Sequence, residues 1–520
     1  MATTTGYRHG VYTREVPTSL LPARSVDSAV VFAVGTAAVH KLGSDAKVPV
    51  NEPMLFYSYD EFVTAMGWDA DNFSDYTLQE LVYSHFALYR GAPIIAVNVF
   101  DPGRHRSEVS GESLTFKTTM LEDGTARLAH PGIASLVLSS PANGVNPASV
   151  DNGEADVDLG GLEDGSETLV YTEGEDYIVD CATGLVTILE EGRIPQGATV
   201  SASYVHADVS KVTADDIIGG IEPSTGDPTG LELIDDVFPR FGLVPSIVVC
   251  PKFCEEDSVA IVMAAKCDGV NGLFQAICLV DIPSDGPNAV TRYTNVPGYK
   301  EKHNLTDKLM IVCWPKVKLS GVVYGLSTHL AGVIASTDAD HEGIPNASPS
   351  NKRLDATSCG YLDASGEWKE VWLDLPKANY LNGQGIYTVS SFDGGMKTWG
   401  GRMACYPSNT DPKDAQDSIR RFFNWYQVQF ILTYFAKVDE PMTRRLVKTF
   451  LKSEQIKLDG WTAREIILGG SISFVESETP LTDLIDGIMR FHIKVTPPPA
   501  ARGIEGIFEF DPDNMKALFS

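Results

Sequence analysis

Apolar residues recur along this chain in three rhythms, and each marks a different kind of element. The first is the continuous run. DSAVVFAVGTA from Asp27, EPMLFYS from Glu52 and PIIAVNVF from Pro93 read as strands buried on both faces. Between them, YDEFVTAMG and TLQELVYSHFALYRG read as helices. In the second, Leu78, Leu81, Val82, His85 and Tyr89 fall at helical spacing, and Gly91 ends it. His85 lies on that apolar face and reads as a hydrogen-bonded core residue. The same alternation resumes from residue 212 with the runs PSIVVCP, QAICLVDIP and KLMIVCWP. The helical stretches EEDSVAIVMAAKCDG and 288–302 separate them, and the helix VVYGLSTHLAGVIAST follows. Strands apolar throughout, alternating with helices, predict a parallel sheet covered on both faces.

The second rhythm fills 103–211. LTFKTTML, SLVLSS, TLVYT, DYIVD and TVSASYV are short, alternate in polarity and are divided by turn signals, which predicts an all-β insertion. The third begins past 375. Short elements (ANYLNGQGIYTVSSF, GGMKTWGGRM) lead to two long helices, SIRRFFNWYQVQFILTYFAK and PMTRRLVKTFLKSEQIK. The second is expected to start at Pro441, behind Asp439 and Glu440, and to turn Met442, Leu446, Val447, Phe450 and Leu451 inward. SISFVES, GIMRFHIKVTP and IEGIFEF then read as strands, with PPP at 497–499 before the last. The fold class is therefore an α/β core with a parallel sheet, an all-β insertion domain, and an α+β C-terminal domain with extended N- and C-terminal arms. The expected divisions are an arm over 1–25, the α/β domain over 26–102 and 212–375, the insertion over 103–211, the C-terminal domain over 376–496 and a second arm over 497–520.

Charge narrows the partners. Lys and Arg total 41 against 69 Asp and Glu, a formal charge of −28 over 520 residues. So acidic a surface repels phosphate backbones and anionic lipid, which argues against general nucleic-acid binding. Hydrophobic residues make up 43%, enough to build cores and exclude global disorder. The N-terminus has no basic stretch followed by an apolar one, and no run approaches a membrane span, so the chain is expected to be soluble and to stay where it is made. Eight cysteines, mostly in apolar contexts, read as buried free thiols of a reducing compartment. Cys250 and Cys254 lack the second pair a zinc site needs. Residues 151–190 hold twelve Asp or Glu and no Lys or Arg, without the register of a Ca²⁺ loop, and read as a solvated acidic face.

Candidate chemistry is thin. Neither G-x-S-x-G nor a Walker-type G-x-x-x-x-G-K-[ST] occurs, and His341-Glu342 has no second His at metal-binding spacing. No catalytic residue, metal, cofactor or small-molecule substrate is expected. The remaining enzyme reading is an α/β hydrolase using Asp281 or Asp285 with His329. Two other features stand out. Arg444, Lys448 and Lys452 recur at i, i+4 and i+8, a like-charge stripe that costs an isolated helix a few tenths of a kcal/mol per pair. It reads either as a solvated face or as a docking face for an acidic partner. Both chain ends are strand-prone and joined to the body by proline-containing segments. Alone, the first reads as a frayed terminus. Together they suggest strands donated between subunits, because an isolated strand cannot satisfy its own peptide groups.

Several long stretches resemble a known family. They are GVYTREVPTSLLPARSVDSAVVFAVGTA, NEPMLFYSYDEFV, HFALYRGAPIIAVNVFDP, CWPKVKLSGVVYGLSTHLAGVIASTDADHEGIPNASPSN and SISFVESETPLTDLIDGIMRFHIKVTPPPAARGIEGIFEFD. Over most of 10–102 and 213–520 the chain resembles the contractile tail sheath proteins of myophages and R-type bacteriocins. The resemblance implies a structural virion subunit rather than an enzyme. It implies six-fold rings stacked as a helical sheath around a tail tube, contracting to drive the tube through the host envelope for genome ejection. The implied partners are further copies of the chain, the tail tube protein, and baseplate and tail-terminator proteins. No direct nucleic acid is implied, and assembly is placed in the host bacterial cytoplasm. Phage-derived bacteriocins and injection systems share this mechanism. The resemblance also implies strand donation by Val11, Tyr12, Thr13, Arg14 and Val16 at one end and by Ile507, Phe508, Glu509 and Phe510 at the other. The implied acceptors are Ser471, Ile472, Ser473 and Phe474 with Phe491, Ile493 and Val495. Arg444, Lys448 and Lys452 are the candidates for tube contact, and the insertion is expected to face outward.

Overall fold

The continuous apolar runs come together in one eight-stranded sheet. Its order is Met54–Phe56, Ile94–Asn98, Val31–Gly35, Ile247–Val249, Ile277–Asp281, Met310–Cys313, Ile386–Ser390, Lys397–Trp399. The structure is a computed structural model that describes residues 27–42, 47–91, 93–118, 124–140, 169–392 and 394–519. The inner six strands are parallel, and each edge strand runs antiparallel to its neighbour. Every residue of Val31–Gly35, Ile94–Asn98, Ile247–Val249 and Met310–Cys313 is buried. Burial on both faces explains why these segments do not alternate.

The helix Leu326–Ala339 is buried around almost its whole circumference, its polar residues Ser327, Thr328, His329, Thr337 and Asp338 included. It starts later than its pattern predicts. Val322–Tyr324 instead pairs antiparallel with Lys316–Leu319, and Gly325 separates this strand from the helix. The helix from Thr77 widens at Tyr83–Leu88 into turns closed by bonds five residues back. His85 sits in that stretch, fully buried, but neither ring nitrogen has a hydrogen-bond partner among the described residues. The expected hydrogen bond is missing, and burial pushes the imidazole down to about 4, so it is a neutral packing group. Seven cysteines are buried free thiols, and Cys181 is exposed.

At the carboxyl ends of the parallel strands the expected hydrolase residues hold the fold together. Asp281 accepts from Ser327 N at 2.9 Å and Ser327 Oγ at 2.6 Å, capping the helix that follows. His329 Nδ1 bonds to the Tyr89 hydroxyl at 2.9 Å, and burial pushes its pKa down to about 3. Asp285 pairs with Lys316, which also lies 2.9 Å from Glu255. Nearby, Glu80 accepts from Gly325 N and Thr328 Oγ1 and lies 4.0 Å from Lys252. Two lysines thus face four carboxylates, so counter-charge offsets their burial only in part. Burial pushes Asp281 up to about 6 and Glu255 up to about 8.

This has a pH consequence. A carboxyl whose pKa is higher in the fold than in the free chain costs stability as pH climbs between the two values. For Glu255 that window runs from 4.5 to about 8. Glu255→Gln is expected to gain on the wild type across it, with a slope approaching ~1.4 kcal/mol per pH unit at most. Thermal melting at pH 5 and pH 9 checks this, and an equal offset at both pH values contradicts it.

Within 103–211 two antiparallel sheets form. One joins Arg106–Thr115, Thr199–Ala207, Ile133–Ser139 and Val170–Tyr171. The other joins Thr125–Arg127, Leu185–Ile188 and Tyr177–Asp180. Burial alternates residue by residue along Thr199–Ala207, as for a strand with one wet face. Leu138, Tyr177, Val186, Val200 and Ala202 are at the centre of a separate core. The acidic stretch up to residue 168 lies outside the described residues.

One expected boundary moves. The sequence pattern places 376–425 in the C-terminal domain, but Ile386–Ser390 pairs in parallel with Met310–Cys313 and is wholly buried. By compactness the chain divides into residues 27–425 with 500–520, and residues 426–499.

Candidate functional site

The smaller unit, residues 426–499, carries two of the surfaces singled out by sequence. Its centre is the helix Arg444–Ala463. The helix starts three residues after Pro441, because Thr443 adopts an extended backbone and its hydroxyl accepts from Leu446 N at 3.1 Å. Met442 therefore lies outside the helix and is exposed, and Val447 and Leu451 are only half-buried. Leu446, Phe450, Glu454, Leu458 and Trp461 form the buried face.

Leu446, Phe450 and Tyr434 pack with Phe430, Met489 and Phe491. Deeper along the helix Glu454 is 1% exposed. It accepts from the Tyr426 hydroxyl at 2.6 Å and the Tyr434 hydroxyl at 2.7 Å, and pairs with Lys457 Nζ at 2.6 Å. Lys457 in turn lies over the rings of Tyr426 and Trp461. Nothing in the spacing of residues signalled this network.

On the opposite face Arg444, Lys448 and Lys452 are all exposed, as is Arg445. Arg444 and Arg445 occupy the first turn, which contains no acid. Cations there meet the positive end of the helix dipole, a cost of about 0.3–1 kcal/mol each.

The expected acceptor strands form a two-stranded antiparallel sheet, Gly469–Ser473 with His492–Thr496. Ser471, Ile472, Ser473, Ile493 and Val495 lie in it. Phe474 and Phe491 fall just outside, because their rings join the aromatic cluster. Phe491 stacks on Phe450 at 5.1 Å, and Phe474 lies 5.3 Å from Phe491. Ser471 and its partner Lys494 face solvent, whereas Ile472 and Ile493 are half-buried. Gly470 lets the strand approach the helix closely, since a Cβ there would lie 2.9 Å from Leu458 Cδ2.

The two edges of this sheet differ. Gln455 Nε2 donates to Gly470 O at 3.2 Å, and Gln455 Oε1 accepts from Ile472 N at 3.3 Å. The peptide groups of Gly470 and Ile472 therefore point away from the partner strand. By the antiparallel alternation, the inward-bonded pairs are Gly469–Thr496, Ser471–Lys494 and Ser473–His492. On the second strand the groups of Ile493 and Val495 point outward, and no other described strand pairs with them.

The third surface belongs to the larger unit. Residues 501–511 have neither helix nor strand. Ile507 is 90% exposed, Phe508 98% and Phe510 79%, and Glu509 is exposed beside them. The strand expected there does not form in the single subunit. The donor residues Val11, Tyr12, Thr13, Arg14 and Val16 lie outside the described residues.

Among the described residues no group of three or more His, Cys, Asp or Glu is arranged to hold a metal ion, and no helix is long and apolar enough to cross a membrane.

No family model matches the chain. A tail sheath protein of Burkholderia phage BcepMu is 29% identical over 507 residues, covering 95% of this chain and 94% of that protein. A prophage major tail sheath protein of Pseudomonas aeruginosa, itself described as a tentative assignment, is 26% identical over 49% of this chain and 61% of its own length. Among solved structures, the sheath of the extracellular contractile injection system PVC in its contracted state superposes with a TM-score of 0.55 at 14% identity, over 98% of this chain and all of that one. The contracted helical sheath of the anti-feeding prophage gives 0.53 at 13% identity over the same shares. At such identities these two likenesses concern the fold. Similarity along nearly the whole of a phage tail sheath protein, on a chain with the fold of contractile sheath subunits, makes this a tail sheath protein homologue.

Proposed function

We propose that the chain polymerises as stacked six-fold rings into a helical sheath around a tail tube, and that the sheath shortens to drive the tube through a host envelope for genome ejection. One observation carries the reading. The same chain holds a two-stranded sheet with one edge that no other described strand pairs with, and a C-terminal segment whose apolar side chains are almost fully exposed. Each lacks what the other supplies, peptide partners and apolar cover, so copies complete one another. Ile507, Phe508, Glu509 and Phe510 form one donated strand, and Val11–Val16 forms the other. The hairpin Gly469–Ser473 with His492–Thr496 accepts them. Donated strands act as straps that keep neighbours joined while the subunits repack.

Contraction is then a population shift between two packings of the lattice, driven by additional buried surface and needing no nucleotide. The basic stripe holds the tube, the acidic insertion faces outward, baseplate and terminator proteins bind the two ends, and assembly takes place in the bacterial cytoplasm. A bacteriocin sheath would use the same surfaces. Negative-stain microscopy of purified protein tests this, with rings or tubes expected. A discrete small oligomer at every concentration counts against it.

The tube contact makes its own prediction. Exposed charge pairs are weak and screened by salt, which suits a grip that must release. Reversing Arg444 and Lys448 to Glu is expected to lower co-assembly with tube protein at least tenfold at low salt, and high salt should weaken the wild type in the same direction. Unchanged co-assembly at both salt levels removes this assignment.

A further inference from the structure

Gln455 holds the outer edge of Gly469–Ser473 as a neighbouring strand would. Its amide donates to Gly470 O and accepts from Ile472 N, the two peptide groups that flank Ser471. One residue of a parallel strand makes this pair of bonds. The side chain is half-buried, and its Nε2 also donates to Asp459 Oδ1 at 2.8 Å, which fixes the amide in place. A strand edge left open is a template for pairing with any other chain. Here one edge of the hairpin is covered by the protein's own side chain, and the other, along Ile493 and Val495, pairs with no further strand among the described residues.

We propose that Gln455 is a built-in cap on a second acceptor edge, and that a strand from another copy of this chain displaces it on assembly. The inference rests on the strand-donation reading above and adds an order to it. The edge along Ile493 and Val495 fills first, because it needs nothing removed. The edge along Gly470 and Ile472 fills second, once an incoming peptide group replaces the Gln455 amide at both bonds. The bonds exchanged are alike in kind, so the swap is close to neutral for the accepting subunit. The gain comes from the rest of the strand, which the cap cannot mimic. The cap thus suppresses pairing by short or mismatched segments and yields to a full-length strand.

The test uses the full-length chain. Gln455→Ala leaves the edge open, so polymerisation should begin at a concentration about tenfold lower than in the wild type, a change worth about 1.4 kcal/mol. Gln455→Glu, which keeps the size but cannot donate to Gly470 O, should move the same way. An onset concentration unchanged or raised, with a native circular dichroism spectrum, overturns the proposal. Hydrogen exchange on the unmodified protein gives a second reading that needs no variant. The Ile472 amide should exchange at least tenfold more slowly in polymer than in free subunits. Equal protection in both states means that the cap never leaves, and also overturns it. A chain lacking 500–520 separates the two ideas. If that chain polymerises like the wild type, donation of the C-terminal strand fails, whatever Gln455→Ala does.

Discussion

A chain ending at residue 499 is expected to fold and to lose polymerisation. Ile504, Ile507, Phe508 and Phe510 are between 79% and 98% exposed, so the folded subunit gains little from them. Its stability should change by less than about 1 kcal/mol, as for surface substitutions. On the strand-donation proposal the same residues become buried against a neighbour in the polymer. Covering a side chain of this size contributes roughly 1.5–3 kcal/mol. Part of that is offset by ordering the segment, at about 1–2 kcal/mol per residue, and part is restored by the ladder of strand hydrogen bonds. The net per contact is a few kcal/mol, and every subunit of a lattice makes the contact. The expected shift in onset concentration is therefore at least about a hundredfold. Sedimentation reads the polymer and circular dichroism reads the fold. Polymers formed at the wild-type concentration would mean that the tail is not a strap.

The largest effect on stability is expected at Glu454. Its carboxylate is almost wholly buried and holds two tyrosine hydroxyls and Lys457. Burial and the nearby Glu454 push both phenols up, so each keeps the proton it donates to Glu454. Glu454→Ala leaves Lys457 without its counter-charge and two hydroxyls without an acceptor. Removing one partner of a buried pair costs about 3–5 kcal/mol. The loss should appear in chemical denaturation as early unfolding of residues 426–499. Lys448→Ala, on the exposed face of the same helix, should stay within about 0.5 kcal/mol. The comparison separates the two faces, one holding the fold and one left for a partner. A loss below 1 kcal/mol for Glu454→Ala would show that the network is not what orders the helix.

The parallel core was legible because burial on both faces leaves an uninterrupted apolar run, as in Val31–Gly35 and Met310–Cys313. The insertion was legible because half-buried strands alternate. Legibility failed where a tertiary contact overrode the local pattern. Val322–Tyr324 looked helical beside an apolar helix, but its partner strand Lys316–Leu319 claims it. Ile386–Ser390 looked like part of a later domain, and only its pairing with Met310–Cys313 places it in the main sheet. Phe474 and Phe491 looked like strand residues, and ring packing draws them into the cluster around Phe450.

At the candidate site, the basic stripe could be read from spacing and the strand-prone tail from composition. Gln455 and Glu454 could not. Each acts through partners on other elements, Gly470 and Ile472 for one and Tyr426 and Tyr434 for the other. No periodicity within one helix records such partners.

The most direct measurement is a cryo-electron map of the assembled polymer in which residues 507–510 can be traced. The account predicts that this segment lies as a strand along the hairpin Gly469–Ser473 with His492–Thr496 of a different copy. Tracing it back onto its own subunit, with both hairpin edges bare in the lattice, would contradict the account.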